Sequence, residues 1–132
     1  MIRVVFDTNV LISVLLSPGG VPGQLVQAWR EERLSLCLSE ELLAELEEVV
    51  ARPHLRKAAT MKPKLVKEFL ERLRKDAEFH VEELILEPTV PTDPDDDVIV
   101  ATAVATNAQV IVSGDSDLFE FGEEVFVFVM SF

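Results

Sequence analysis

Four short, mostly apolar runs recur along the chain, and the segments between them are long enough to hold helices. The runs lie at residues 2–6, 34–38, 109–112 and 125–130, and a further strand is predicted at 81–86. Runs that are apolar nearly throughout, rather than alternating with polar residues, are typical of strands buried on both faces. The pattern predicts a parallel sheet of about five strands.

Helical spacing of apolar residues fills the segments between these runs. Helices are predicted at 10–16, 22–33, 64–79 and 95–107, and Ser39 is predicted to cap another that ends near Arg52. Parallel strands are joined by right-handed crossovers that cover both faces of the sheet. We therefore expect an α/β fold, a three-layer α/β/α sandwich, in a single domain that spans residues 1–132.

Several aspartates follow or approach the carboxyl ends of the predicted strands. Asp7 follows the first strand and Asp115 follows the strand at 109–112, while residues 95–97 (DDD) open the helix before that strand. Ligands of open α/β sheets bind in the crevice beyond the carboxyl ends of the strands. Asp7 and Asp115 are therefore expected to reach one crevice.

A glutamate from the helix after Ser39 is a candidate for the same crevice. Leu42, Leu46 and Val49 belong to the apolar stripe of that helix. Glu45 lies on the flank of this stripe and Glu47 is only slightly further round. Periodicity favours Glu45 and leaves Glu47 open.

Converging carboxylates repel one another and take up protons unless a cation fills the site. Hard divalent cations prefer oxygen ligands, so the acids predict a site for Mg²⁺ or Mn²⁺. His54, His80 and Cys37 lack the spacing of zinc ligands. Zinc is therefore not expected.

The charge of the chain is unevenly distributed. The net charge is −12, which is unusual for a protein that binds nucleic acid. Residues 52–75, however, hold nine of the twelve bases against two acids, a local charge of +7, and the remaining residues sum to −19. This segment is either a solvated helix face or a cationic strip that contacts a phosphate backbone. The candidate RNA-binding residues are Arg52, Lys57, Lys62, Lys64 and Lys67.

Four motifs together resemble the PIN-domain family. Residues 6–10 (FDTNV) look like its opening motif, and 39–46 (SEELLAEL) resemble the helix that bears its essential glutamate. Residues 93–103 (DPDDDVIVATA) and 113–118 (SGDSDL) are similar to its two later acidic motifs. The resemblance spans essentially the whole chain in the family's order, and it implies a PIN-like fold.

Carried over residue by residue, the resemblance implies roles for nine residues. Catalytic and metal-binding roles fall on Asp7, Glu45, Asp97 and Asp115, with Asp117 as a further metal contact. Supporting roles fall on Thr8, Asn9, Asp96 and Ser113. The three successive aspartates leave the choice among Asp95, Asp96 and Asp97 open, and Asp97 is chosen because the apolar run that follows it then aligns.

The resemblance also implies an activity and partners. The motifs resemble in particular those of prokaryotic PIN proteins described as toxin components of toxin–antitoxin pairs. We therefore expect a Mg²⁺- or Mn²⁺-dependent endoribonuclease with RNA as substrate, an antitoxin protein as partner and a homodimer as assembly. Single-stranded or loop RNA is the expected substrate class.

Rival functions place other demands on the same residues. An aspartyl-phosphate phosphatase needs a second aspartate where the chain has Asn9, and it needs a lysine in its later half, where no lysine follows Lys75. The same absence argues against a phosphorylated receiver domain. A non-catalytic PIN scaffold that binds RNA or a protein stays open, because intact acids do not prove turnover.

The compartment is predicted from two features. Cys37 is a single cysteine and cannot form an internal disulfide, and in its apolar run it is expected to be a small buried hydrophobe rather than a reactive thiol. The longest apolar stretch falls short of the roughly 20 residues that span a bilayer. We expect a cytoplasmic protein without a membrane segment.

Overall fold

A five-stranded parallel sheet, in the order β3-β2-β1-β4-β5, forms the centre of the computed structural model. The strands are β1 (Ile2–Phe6), β2 (Leu34–Ser39), β3 (Glu78–His80), β4 (Val110–Val112) and β5 (Phe128–Met130). The structure describes residues 1–57, 61–85, 94–113 and 128–130, with the backbone alone for 94–97 and 128–130. The predicted parallel sheet is confirmed.

Six helices connect the strands within the described ranges. They are α1 (Thr8–Leu16), α2 (Val21–Arg30), α3 (Glu40–Val50), α4 (Pro53–Arg56), α5 (Pro63–Asp76) and α6 (Pro94–Thr106). Helices α2 and α3 pack on β2, and α1 packs against both helices. Helix α6 packs on β1, β2, β3 and β4. Right-handed crossovers place α6 on the sheet face opposite to α1, which completes the α/β/α sandwich.

The direction of the strand order reverses beside β1. The chain passes from β1 to β2 and β3 in one direction, and then crosses back to β4 on the other side of β1. The register pairs Phe6 with Val112, the last residues of β1 and β4. A ligand crevice opens at such a reversal, beyond the carboxyl ends of the two strands. The residues that follow Phe6 and Val112 therefore line this crevice.

The hydrophobic core lies between the sheet and the helices, and the central strands supply its most buried residues. Val5, Phe6, Leu36 and Leu38 are all fully buried. Cys37 is buried beside them, and burial raises the pKa of its thiol, which keeps the thiol protonated. The prediction of a small buried hydrophobe at Cys37 is confirmed.

The third strand lies earlier in the chain than the sequence predicted. The helix predicted over 64–79 is confirmed as α5, but its end was wrong, because α5 ends at Asp76. The strand predicted over 81–86 was wrong, because the strand is Glu78–His80. The backbone of Ala77 is extended, and Phe79 pairs with Leu38 of β2. Phe79 also lies at the edge of the apolar stripe of the predicted helix. The spacing of apolar residues therefore did not show that the helix ends before Phe79. Residues 81–85 form no regular element.

The end of one further helix differs from the prediction, and one short helix was not predicted. Helix α2 ends at Arg30 instead of residue 33, because Glu32 adopts a left-handed conformation with φ 60°. The amide of Arg33 then donates to the carbonyl of Ala28 at 2.9 Å, which closes the helix end. The four-residue helix α4 was not predicted. Its start at Pro53 follows from the fixed φ of proline.

Among the described residues, no single helix is long and apolar enough to cross a membrane. Helices α1 and α2 would meet the length and composition criteria only if counted together, and they are bent by 97° relative to each other.

The turn between α1 and α2 depends on one glycine. A Cβ atom at Gly23 would overlap the carbonyl group of Pro18, whereas a Cβ atom at Gly19 would meet nothing within 4 Å. Gly23 thus allows the turn to pack directly on the first turn of α2.

We expect Gly23→Ala to destabilise the protein. Overpacking costs about 1–3 kcal/mol, which outweighs the gain in helix propensity of about 1 kcal/mol or less. Urea denaturation followed by circular dichroism measures the difference. Gly19→Ala is the matched control and should change the free energy of unfolding by about 0.5 kcal/mol or less. Equal stability of the two variants would show that the turn does not need this contact.

Candidate metal centre

Asp7 lies where β1 ends and α1 begins, at the reversal of the strand order. Its backbone amide donates to the carbonyl of Val112 at 3.0 Å and continues the pairing of β1 with β4. Its side chain caps α1 by accepting from the amide of Asn9 at 3.4 Å. The residue is only 6% exposed. Asp7 is therefore a buried carboxylate fixed at the crevice by its own backbone.

Ser113 holds the other oxygen of this carboxylate. Its hydroxyl donates to Oδ2 of Asp7 at 2.8 Å, and Ser113 itself is fully buried. A carboxylate oxygen has two lone pairs, so the Asp7 oxygens can accept these hydrogen bonds and still bind a cation. Ser113, the residue that follows β4, therefore orients the Asp7 carboxylate through this hydrogen bond.

Glu45 reaches the same place from helix α3. Ser39 caps α3 by accepting from the amide of Leu42 at 3.1 Å, and Glu40 and Glu41 occupy the first turn, where the helix dipole favours acids. Thr8, next to Asp7, donates from Oγ1 to Oε1 of Glu45 at 3.0 Å. The structure therefore brings Asp7, Thr8, Glu45 and Ser113 together.

Glu47 is directed elsewhere. Its carboxylate forms an ion pair with Arg74 of α5 at 3.4 Å, and Arg74 also pairs with Glu40 at 3.1 Å and lies over the ring of Phe79. The geometry thus distinguishes the two glutamates that periodicity left open. Sequence reasoning placed Arg74 only within the basic segment and missed this contact between helices, because its partners are about 30 residues distant in sequence and carry no local signal.

The other predicted acids are not described by their side chains. Residues 95–97 lie in the first turns of α6, for which the structure gives the backbone alone, and Asp115 and Asp117 lie outside the described residues. Among the described side chains, no three acids, histidines or cysteines form a group that could hold an ion. The metal-binding roles of Asp96, Asp97, Asp115 and Asp117 stay predictions.

The side chains that do converge suit a hard divalent cation. Asp7 and Glu45 offer carboxylate oxygens, and the hydroxyls of Thr8 and Ser113 hold them in place. Mg²⁺ is usually held by few carboxylates together with waters and substrate phosphates. The chemistry of these donors fits Mg²⁺ or Mn²⁺. Asn9 contributes its backbone amide to Asp7, and its side chain is exposed.

The predicted RNA-binding bases differ in how they are neutralised. Arg52 pairs with Glu48 at 3.7 Å, and Lys67 pairs with Glu71 at 3.9 Å. Lys57, Lys62 and Lys64 are exposed and form no ion pair with a carboxylate of the described residues. Lys57, Lys62 and Lys64 are thus the bases of this set most available to an external anion.

Comparison with known proteins identifies the family. Residues 3–117 match the PIN domain. An uncharacterized protein of Methanocaldococcus jannaschii is 31% identical over 127 residues, which are 93% of this chain and 77% of that protein. A chain in the crystal structure of VapBC2 from Rickettsia felis, bound to a DNA fragment from their promoter, matches with a TM-score of 0.62. That match has 14% identity and covers 99% of both chains, and it supports the fold.

This chain therefore belongs to the PIN-domain family, as its motifs predicted. PIN domains are in general nucleases that use divalent metals. The crevice beside β1 and β4 holds the Asp7 carboxylate, and Glu45 is hydrogen-bonded to the neighbouring Thr8.

Proposed function

We propose that this protein is a Mg²⁺- or Mn²⁺-dependent endoribonuclease that hydrolyses phosphodiester bonds of RNA. The observation that carries the proposal is the convergence of Asp7 and Glu45, from two separate elements, on the crevice beside β1 and β4. The acids predicted at 95–97, 115 and 117 extend this group in the proposal.

The protein's part in the reaction is to position oxygens. Asp7 and Glu45 would hold the cation, while Thr8 and Ser113 keep the two carboxylates in one orientation through hydrogen bonds of 3.0 and 2.8 Å. In this proposal Asp97 and Asp115 would complete the set of ligands, Asp117 would be a further metal contact, and Asp96 would have a supporting role. The bound cation supplies positive charge that lowers the pKa of a water and offsets the negative charge on the phosphate.

RNA binding in this proposal depends on the basic segment. Bases that contact phosphate fix the position of the substrate without selecting its sequence. Lys57, Lys62 and Lys64 present charge to solvent, and Arg52 pairs with Glu48, one helical turn from Glu45. The overall charge of −12 opposes long-range attraction, so this local charge must supply the contact.

The likeness of this chain to a protein of known assembly supports a proposal about its partners. One solved structure of similar fold is a VapBC2 complex on promoter DNA. We propose by analogy that this chain is the toxin of a toxin–antitoxin pair, that it binds an antitoxin protein, and that it acts as a homodimer in the cytoplasm. The alternative function is a non-catalytic scaffold, and the RNA-cleavage assay of Glu45→Gln and the parent protein distinguishes it from a nuclease.

Replacing Glu45 tests the active site and the choice between two glutamates at once. We expect Glu45→Gln to abolish RNA cleavage. The cleavage rate should fall by about 100-fold or more, which is the order of effect expected when a metal ligand or its supporting contact is lost. Glu47→Gln, the matched control, should retain cleavage, because it removes only an exposed ion pair with Arg74. Cleavage of a fluorescent RNA mixture in Mn²⁺ buffer measures both variants.

The outcomes separate the alternatives. Loss of activity in Glu47→Gln but not in Glu45→Gln would contradict the assignment of the helix face. A purified parent protein that cleaves no RNA, single-stranded or structured, would favour the scaffold over the nuclease.

Lys62 and Lys64 test the RNA-binding surface. We expect Lys62→Ala/Lys64→Ala to raise KM several-fold for every RNA and to leave kcat unchanged. Each lost phosphate contact should flatten the dependence of log K on log salt by about 0.7 for single strands, so by about 1.4 for the pair. Affinity is measured at several salt concentrations with Asp7→Asn as the cleavage-deficient background.

A second pair provides the control at equal net charge. Arg30→Ala/Arg33→Ala also removes two bases, but Arg30 and Arg33 lie at the amino end of β2, away from the crevice. Its salt slope should match that of the parent. Parallel slopes for all three proteins would overturn the role of Lys62 and Lys64.

A further inference from the structure

A chain of buried hydrogen bonds connects the two helices that carry the proposed metal ligands. Oγ of Ser39 lies 2.7 Å from Oγ1 of Thr102, and both residues are fully buried. Ser39 also accepts from the amide of Leu42 at the start of α3. Thr102 lies in α6, where its Oγ1 is 2.7 Å from the carbonyl oxygen of Val98. The two hydroxyls thus link the first turn of α3 to α6.

The direction of each hydrogen bond follows from the available protons. A carbonyl oxygen can only accept, so Thr102 donates its single hydroxyl proton to Val98. Thr102 must then accept from Ser39, which in turn accepts from the amide of Leu42. The order is Leu42 to Ser39 to Thr102 to Val98, with every hydroxyl both donating and accepting. Such chains are cooperative, and removal of one member leaves a buried group without a partner.

The two ends of this chain lie next to the candidate ligands. Leu42 precedes Glu45 by one helical turn on α3, and Val98 directly follows Asp97 on α6. Metal ligands must be held within about 0.5 Å of their working geometry, and the groups that fix their supports are part of the site. Thr8, which lies in α1, holds the Glu45 carboxylate, whereas the contact between Ser39 and Thr102 joins α3 to α6.

We propose that Thr102 and Ser39 are positioning residues, which set the separation of α3 and α6 and thereby the affinity of the site for its divalent cation. The proposal rests on the proposed function, because it assumes that acids from both helices bind one cation. In an otherwise apolar segment of α6, residues 98–105 (VIVATAVA), Thr102 is the one polar side chain, and it faces the N-cap of α3.

Thr106 offers a matched control on the same helix. Its Oγ1 donates to the carbonyl of Thr102 at 2.7 Å, which repeats the bond from Thr102 to Val98, and the residue is also buried. Thr106 lies one turn further from the predicted ligands and has no hydrogen bond to α3 among the described residues. A purely structural role for buried threonine hydroxyls would affect both positions alike.

The test is calorimetric titration of the full chain with Mn²⁺. We expect Thr102→Val, which keeps the shape and removes the hydroxyl, to weaken Mn²⁺ binding by about tenfold. Thr102→Ser should restore the parent affinity, and Thr106→Val should bind as the parent does even where its melting temperature falls by as much as that of Thr102→Val.

Each outcome decides a separate claim. Equal Mn²⁺ affinity of Thr102→Val and Thr106→Val, or failure of Thr102→Ser to restore binding, would overturn the positioning role while the proposed function stands. A parent protein that takes up no Mn²⁺ would overturn the proposed function, and the positioning role with it.

Discussion

The pairing of β1 with β4 determines where everything else in the site can lie. Because the amide of Asp7 donates to the carbonyl of Val112, the first residue beyond β1 is held against the end of β4. That contact places Ser113 within 2.8 Å of the Asp7 carboxylate and starts α1 at Thr8. A shift of the register by one residue would turn the Asp7 side chain to the other side of the sheet and separate it from the Ser113 hydroxyl.

Burial of the Asp7 carboxylate is tolerated because hydrogen-bond donors surround it. An unpaired carboxylate in the interior costs several kcal/mol, in the range of roughly 3–5 for a broken buried pair. The amide of Asn9 and the hydroxyl of Ser113 reduce this cost, and Thr8 does the same for Glu45. The same contacts that allow Asp7 to be buried and Glu45 to be half-buried also orient the two carboxylates. The stability of this part of the fold and the orientation of the two carboxylates therefore depend on the same hydrogen bonds.

The sequence predicted those parts of the fold that local patterns determine. Apolar runs located β1 and β2, and Ser39 with the following acids located the start of α3. The predicted position of β3 was wrong because this strand forms by pairing with β2, which the spacing of apolar residues within α5 cannot show. The contacts that distinguish Glu45 from Glu47 are a hydrogen bond from Thr8 to Glu45 and an ion pair of Arg74 with Glu47. Both partners are distant in sequence from the two glutamates. The motifs identified the family from the sequence, whereas the geometry of the candidate site depends on contacts between separate helices and strands. The roles of the acids beyond residue 94, the RNA-binding bases and the compartment stay predictions.

We propose that Asp7 belongs to a site for a divalent cation, and a direct measurement of cation binding tests this without reference to any substrate. Calorimetric titration with Mn²⁺ should give saturable heat with the parent chain and binding at least about tenfold weaker with Asp7→Asn. Asp76→Asn, which removes an exposed acid paired with Arg72, serves as the control and should bind as the parent does. Equal Mn²⁺ affinity of the parent and Asp7→Asn would contradict the account.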